Sequence, residues 1–532
     1  MSGLLEPIRF IIVVGVLIFV HELGHFLVAK RAGVLVHKFS FGFGPRLFGV
    51  KRGETDYCVS AILFGGYVKM AGQEDVPGTD DATGVPEERK FSSKTVAQRM
   101  AIIVAGPLMN LVLGLVIFIV LMVVGQEVPE WWFDTRIGAV EPGSPAEEAG
   151  LRPNDTVVSI NGKPVTKWQD LVLASLMNAA REMTLEIERD GRAMSLRVMS
   201  SDFDDSGRPR MGIEPFERAI VGAPTEGMPA EGAGLEKGDV IVAIDGVPVG
   251  ISETIRITSE SIGKPLEYEI EQDGARTKRT IRPVAVGTIK QMDIVEGHVA
   301  AIERDFARET KLVPGDEIRS ISGVGVEPEE VQRIIMESPN STLTLGVHRP
   351  PRRLFKLIPL RGSKDFSVDV AVQERGVIGV PLAGPDVPKP TVLVRYNIIQ
   401  AIPRGIAEGW STFMTSAYTL KLILTRRVST KAIGGPVAIY RMTQEVAREG
   451  IDWLMKFVGL ISIYLSIFNL LPVPVLDGGH VLFLAIEGVR RKPVDMKYQE
   501  MLQYVGLALV LILFLYITYN DIMRLVGERF LR

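Results

Sequence analysis

Four stretches of this chain are apolar over about the 20 residues that a helix needs to cross a bilayer core about 30 Å thick. They run from Phe10 to about Ala29, from Met100 to Val124, from about Leu454 to Leu471 and from about Met501 to Tyr519. Between the second and third, the pattern shortens to alternating runs such as Val157 to Ile160 and Ile241 to Ile244, closed by Asn161-Gly162 and Asp245-Gly246. Such pairs suit two-residue hairpin turns, in which both central residues need positive φ. The pattern therefore predicts a multi-pass α-helical membrane protein of four transmembrane helices, with a β-rich insertion between the second and third. The first stretch is not read as a cleaved signal peptide, because no small-residue cleavage site follows it.

Composition agrees with membrane segments beside polar modules. Of 532 residues 46% are hydrophobic, and mean hydropathy is +0.20. A net charge of −3 and the lack of a dense basic tract exclude a nucleic-acid binder as the first reading. One cysteine, Cys58, excludes an internal disulfide framework and a Cys-rich zinc site. Local charge sets orientation: Lys30, Arg31, Lys38, Arg46, Lys51 and Arg52 follow the first span, Arg89, Lys90, Lys94 and Arg99 lead into the second, and Arg490, Arg491, Lys492 and Lys497 separate the third from the fourth. By the positive-inside rule these regions are cytoplasmic, which places residues 125 to about 450 and both termini on the other side.

An internal repeat occupies the region after the second span. "SPAEEAGLRPNDTVVSINGKPV", "MPAEGAGLEKGDVIVAIDGVPV" and "KLVPGDEIRSISGVGV" align on Asp155, Asp239 and Asp316, with Ser322-Gly323 closing the third strand. A period of roughly 80 residues suits compact domains rather than solenoid units. "MTLEIERDGRAMSLRV" and "LEYEIEQDGARTKRTIR" read as hairpins with the same turn chemistry. The copies resemble PDZ domains in their bacterial, permuted form, the third more weakly, and the resemblance implies peptide ligands bound by strand addition.

The first span carries "FVHELGHFL". His21 and His25 stand four apart, so on a helix they share a face, with Glu22 beside the first. Three ionisable groups at membrane depth are costly unless they face protein or a wet cavity. Two imidazoles invite a third ligand to a catalytic zinc. Asp477 in "IFNLLPVPVLDGGHVLF" follows a long apolar run, and Pro472 and Pro474 break helical bonding just before it, which points to an internal site. His480 is the rival ligand; a carboxylate is preferred to complete a two-His set.

HELGH together with NLLPVPVLDGG resembles the site-2 protease family of intramembrane zinc metalloproteases, in particular the bacterial regulator-of-sigma-E protease type. The resemblance covers nearly the whole chain. It implies that His21, His25 and Asp477 bind Zn2+, that Glu22 is the catalytic acid/base and that Asn469 handles substrate. It further implies cleavage of single-span membrane proteins, with a pre-trimmed anti-sigma factor or remnant signal peptides as substrates, in a bacterial inner membrane. Three PDZ-like copies depart from the one or two common in close relatives. "TDYCVSAILFGGYVKMAG" alternates like a strand, and Phe64-Gly65-Gly66-Tyr67-Val68 reads as a turn continuing into a hairpin. Gly65, Gly66 and Tyr67 are thus candidates to pair with an unwound substrate, the resemblance placing this β-loop in the membrane.

Two further features complete the division of the chain. The spacing of Ile402, Ile406, Trp410, Phe413, Ala417, Leu420 and Leu424 describes an amphipathic helix, either in the membrane interface, at the substrate entrance or against the PDZ-like region. Asn110 in "AGPLMN" is expected to bond a neighbouring helix. The expected segments are residues 1–30 and 100–125 as the first two helices, 31–99 as the β-hairpin region, 130–202, 210–286 and 290–362 as PDZ-like domains, 390–450 as amphipathic helices, and 451–476 and 500–520 as the last two spans. A PDZ scaffold with a structural metal site is the alternative, and an intact Glu22 argues against it. A metal transporter is disfavoured because no polar path runs through the other spans.

Overall fold

The computed structural model describes residues 2–73, 84–200, 211–295, 297–350, 352–354, 358–361, 363–382, 387, 389–425, 434–492 and 495–530. Two compact units divide it, residues 1–127 with 393–521, and residues 128–392 with 522–532.

The first unit is built on helices α1 (Ser2–Arg31), α2 (Val96–Val124), α3 (Ile398–Leu424), α4 (Pro436–Glu449), α5 (Ile451–Asn469), α6 (Asp477–Arg490) and α7 (Met496–Phe530). Among the described residues, four segments are long and apolar enough to cross a membrane: Glu6–Arg31, Val96–Val124, Ile451–Asn469 and Lys497–Ile522. Thr95 starts α2 with a reciprocal cap, its hydroxyl accepting from the Gln98 amide while the Gln98 side chain accepts from the Thr95 amide. Glycines then set how closely the helices approach. A Cβ on Gly24 would meet the Ala105 carbonyl oxygen of α2 at 2.2 Å, so HELGH itself contains the contact that seats α1 on α2.

Between α1 and α2 lie β1 (Val36–Arg52) and β2 (Thr55–Met70), joined at Gly53 and Glu54. The chain also reverses within β2 near Gly65, but the two arms of that turn are parted: Phe39, Ser40 and Phe41 run parallel to Tyr57, Cys58 and Val59 on one side and antiparallel to Val68, Tyr67 and Gly66 on the other. Phe39 is flanked by both Val68 and Tyr57, and Ser40 by Tyr67 and Cys58, so the first half of β1 lies inside the sheet. Gly66–Met70 has β1 on one side and, among the described residues, no strand on the other. At the turn, Glu54 accepts from Lys30 at 2.6 Å and Arg89 at 2.7 Å, and these cations hold its carboxyl down to about 2. A carboxylate depressed in the folded state contributes stability that is full above its unfolded value near 4.5 and is lost as pH falls towards 2. Glu54→Gln should therefore lower the Tm by a constant amount above about pH 5, and the gap to the wild type should close on acidification; a pH-independent gap in thermal melts would contradict this.

Helix α3 forms over the residues whose spacing reads as amphipathic. The apolar stripe of Ile402, Ile406 and Trp410 is exposed, while Ala401, Gly405 and Gly409 are buried. Gly405 lies on Ile119 and Gly409 on Leu115 of α2, where a Cβ would come within 2.7 Å of either neighbour. Small residues make the helix contact because the backbones approach closely, leaving the large side chains to face outward.

In the second unit each repeat copy has a hydrophobic core of its own. In each, the aligned aspartate closes its own turn: Asp155 accepts from the Arg152 amide, Asp239 from Glu236 and Asp316 from Val313, at 2.8 to 2.9 Å. Asp155 and Asp316, both fully buried, are also gripped by Arg189 and Arg349. The expected turns follow: Asn161-Gly162, Asp245-Gly246 and Ser322-Gly323 have φ values of 50° and 75°, 50° and 78°, and 51° and 83°.

The second copy does not end where the repeat does. Its sheet runs in the order Ala219–Ile220, Val240–Ile244, Leu266–Gln272 and Ala275–Ile281, yet its core is completed by Ile378 and Leu382. The amides of Ala230, Thr225 and Gly222 donate to the carbonyls of Ile378, Gly379 and Pro381. The third copy, whose sheet extends through Lys364–Val377, is thus inserted between the parts of the second. Contiguous segments of 210–286 and 290–362 miss this because the completing residues arrive from about 90 residues downstream, beyond the repeat signature.

Candidate metal centre

The first-unit helices bring three of the singled-out side chains to one point. His21 and His25 project from α1, and Asp477 is the first residue of α6. Their ligand atoms all lie within 4.8 Å of one another. His21 Nε2 is 3.2 Å from Asp477 Oδ2, His25 Nε2 is 3.6 Å from Asp477 Oδ1, and the two Nε2 atoms are 3.1 Å apart. His480 lines the same cavity but is not part of this cluster.

Local chain geometry explains each placement. Helix α5 stops at Asn469, and residues 470–476 form turns before α6 begins, so Asp477 opens a new helix rather than ending the third span. The two glycines after it are sterically required. A Cβ on Gly478 would meet the Leu471 carbonyl oxygen at 2.2 Å, and one on Gly479 the Val473 carbonyl oxygen at 2.3 Å. The proline-bearing turn therefore folds directly against the first turn of α6. Arg99 of α2 grips Glu487 of α6 through both guanidinium ends, each side chain 15% exposed, and so ties the helix that carries Asp477 to the one that backs the histidines.

Around the cluster, partners hold the imidazoles. His25 Nδ1 is 2.9 Å from the Ile102 carbonyl oxygen of α2, so it donates there and turns Nε2 to Asp477. His21 Nδ1 faces two carboxamides, Asn110 at 3.3 Å and Asn469 at 3.4 Å. Asn110 does bond a neighbouring helix, and the group it meets is His21. Gly106 forms the back wall: a Cβ there would stand 2.3 Å from His25 Nε2. Its place in "AGPLMN" was legible, but only the packing shows that its missing side chain is space for an imidazole.

A cavity of about 400 Å³ opens on the cluster. Glu22 lines it, together with Tyr67, Val68 and Met70 from the open edge of β2 and Gln503, Tyr504 and Leu507 from α7. A Cβ on Gly66 would sit 3.3 Å from Glu22 Cγ, which sets this part of β2 directly beside the glutamate. Gly65 is filled from outside the cavity by Phe43, whose ring stacks on Tyr67 at 6.0 Å. The α7 residues had no distinguishing signal in an apolar stretch.

Two imidazoles, one carboxylate and an adjacent unligated glutamate form a donor set suited to a catalytic zinc with one open position. The family model for peptidase family M50 matches residues 9–513 of the chain. The chain belongs to peptidase family M50. Relatives extend over full lengths. The regulator of sigma-E protease RseP of Escherichia coli K12 is 29% identical over 541 residues, 99% of this chain and 100% of the relative. Proteins described as zinc metalloproteases are 28% identical in Neisseria meningitidis, over 98% of this chain and 99% of the relative, and 30% identical in Ralstonia nicotianae, over 98% and 99%. A PDZ domain of an SdrC-like protein from Listeria monocytogenes covers 16% of this chain and 88% of its own, at 15% identity and a TM-score of 0.15, a likeness too small to carry an argument. As an M50 peptidase with four apolar helices, the protein is a zinc metalloendopeptidase of membranes.

Proposed function

We propose that this M50 peptidase hydrolyses single-span membrane proteins within the bilayer, with His21, His25 and Asp477 as zinc ligands and Glu22 as acid/base. The observation that carries the reading is the convergence of the three ligand atoms within 4.8 Å between helices apolar enough to span a membrane, in a cavity that Glu22 also lines. Zinc held there supplies an activated water near neutral pH and polarises the scissile carbonyl.

The chain's own groups do the remaining work. Glu22 takes a proton from the attacking water and returns it to the leaving amide nitrogen. A helical substrate must first unwind, and its freed amides need partners where water is scarce. The open edge of Gly66–Met70 offers backbone donors and acceptors along the cavity wall, so Gly66 and Tyr67 seat the substrate strand and Gly65 shapes that edge. Asn469, beside His21, bonds a substrate carbonyl near the reacting centre.

The positive-inside pattern supports an inner-membrane protein with the second unit and both termini outside the cytoplasm and the centre near its cytoplasmic side. In that unit, the three modules with their Asp-closed turns and primed hairpins are PDZ-like domains that engage peptide segments. A relative that bears the name regulator of sigma-E protease supports a pre-trimmed anti-sigma factor as substrate, with remnant signal peptides as a second group.

Asp477→Asn tests the ligand set. The amide removes the anionic ligand, and purified full-length protein should lose most of its zinc and its cleavage of a detergent-solubilised single-span substrate. Undiminished zinc by atomic absorption would reject Asp477.

A further inference from the structure

Two carboxamides converge on one atom of the centre. Asn110 Nδ2 lies 3.3 Å and Asn469 Nδ2 3.4 Å from His21 Nδ1. That nitrogen offers either one lone pair or one N–H, so it serves one partner at a time. The two residues differ in surroundings. Asn110 is 1% exposed, and its backbone carbonyl is fixed by the Ser462 hydroxyl of α5 at 2.7 Å. Its side-chain Oδ1 is buried with no hydrogen-bond partner among the described residues. Asn469 is the last residue of α5 and is only partly buried.

The arrangement with Nδ2 towards the ring suits an imidazole whose proton is on Nε2, facing Asp477 Oδ2 at 3.2 Å. An imidazole that gives its Nε2 lone pair to a cation carries its proton on Nδ1, and that proton needs an acceptor. A half-turn of a carboxamide about its last side-chain bond exchanges oxygen and nitrogen with little change of shape. We infer that Asn110 is the positioning residue of His21, its otherwise unpartnered Oδ1 accepting the Nδ1 proton and holding Nε2 on the metal. Asn469 is thereby released to the substrate. The buried carboxamide of α2 thus does for His21 what the Ile102 carbonyl does for His25, so that one helix orients both imidazoles.

This rests on zinc binding at the triad, and the test separates the two. Zinc affinity of the full-length protein in detergent is measured by competition with a chromophoric chelator. Wild-type protein that takes up no zinc overturns both readings. With zinc bound to the wild type, Asn110→Leu should weaken affinity by about 10- to 100-fold, the usual effect of removing an outer partner of a ligating histidine. Asn110→Asp, which keeps an acceptor at the same place, should hold zinc at least as tightly as the wild type. Asn469→Leu should leave zinc affinity within a few-fold while cleavage falls. If Asn110→Leu leaves zinc affinity unchanged, or Asn110→Asp is as damaging as Asn110→Leu, the assignment is overturned, as it is by a greater loss of zinc from Asn469→Leu than from Asn110→Leu. If Asn110→Leu fails to fold, the Asn110→Asp variant decides alone: wild-type affinity supports acceptance from Nδ1–H, and lost affinity refutes it.

Discussion

Glu22→Gln should abolish most cleavage while leaving the zinc content at the wild-type value. The amide fills the same space in the cavity beside Gly66, and Glu22 is not one of the three clustered ligand residues. It can neither accept a proton from water nor return one to the leaving nitrogen. Loss of a general acid/base reduces rate by about 10²- to 10⁴-fold. Single-turnover cleavage of a model single-span substrate, with zinc measured on the same sample, separates the outcomes. Unchanged turnover with zinc present removes Glu22 from the chemistry; loss of zinc as well makes it part of the binding site instead.

Gly106→Ala should produce a comparable loss by an opposite route. Alanine is the better helix former by about 1 kcal/mol, so helix propensity predicts a more stable α2. The added Cβ, however, lands 2.3 Å from His25 Nε2, 2.6 Å from its Cε1 and 2.9 Å from His21 Cε1, distances at which the rings must move. Both histidines are fixed on their other side, His25 by Ile102 and His21 by Asn110 and Asn469, so little room remains for a compensating shift. Zinc affinity should drop at least about 10-fold, in keeping with other disturbances around ligating histidines, and cleavage should fall with it. Gly232→Ala, where a Cβ meets nothing within 4 Å, is the matched control. Wild-type zinc affinity in Gly106→Ala would show that the cradle can relax and that the close packing of α2 is not needed for the centre.

Much of the site was legible before folding because its members announce themselves by cost. Imidazoles and carboxylates are rare in apolar spans, and His21, Glu22, His25 and Asp477 stand out against their neighbours for that reason. Gly106, Asn110, Gln503 and Tyr504 do not. Small and uncharged polar residues occur in membrane helices for many packing reasons, and nothing in their local pattern says which partner they meet. The strand pattern around Gly65 and Gly66 was equally local. It revealed an extended segment with a turn near Gly65, but alternation cannot say that residues 38–41 lie between the two arms of that turn.

By itself the sequence determined the elements whose cause is local: four apolar helices by length, hairpin turns by residues that tolerate positive φ, and a motif that sets two imidazoles on one helical face. Only the tertiary structure decided what depends on distant chain meeting distant chain. It put Asp477 within reach of His21 from more than 400 residues away, inserted the third module into the second so that Ile378 and Leu382 close an earlier core, and turned the small face of α3 to α2. The physical reason is the same in each case. Periodicity and turn chemistry report on neighbours along the chain, whereas burial, close helix approach and ligand convergence are settled by which surfaces are left to cover one another.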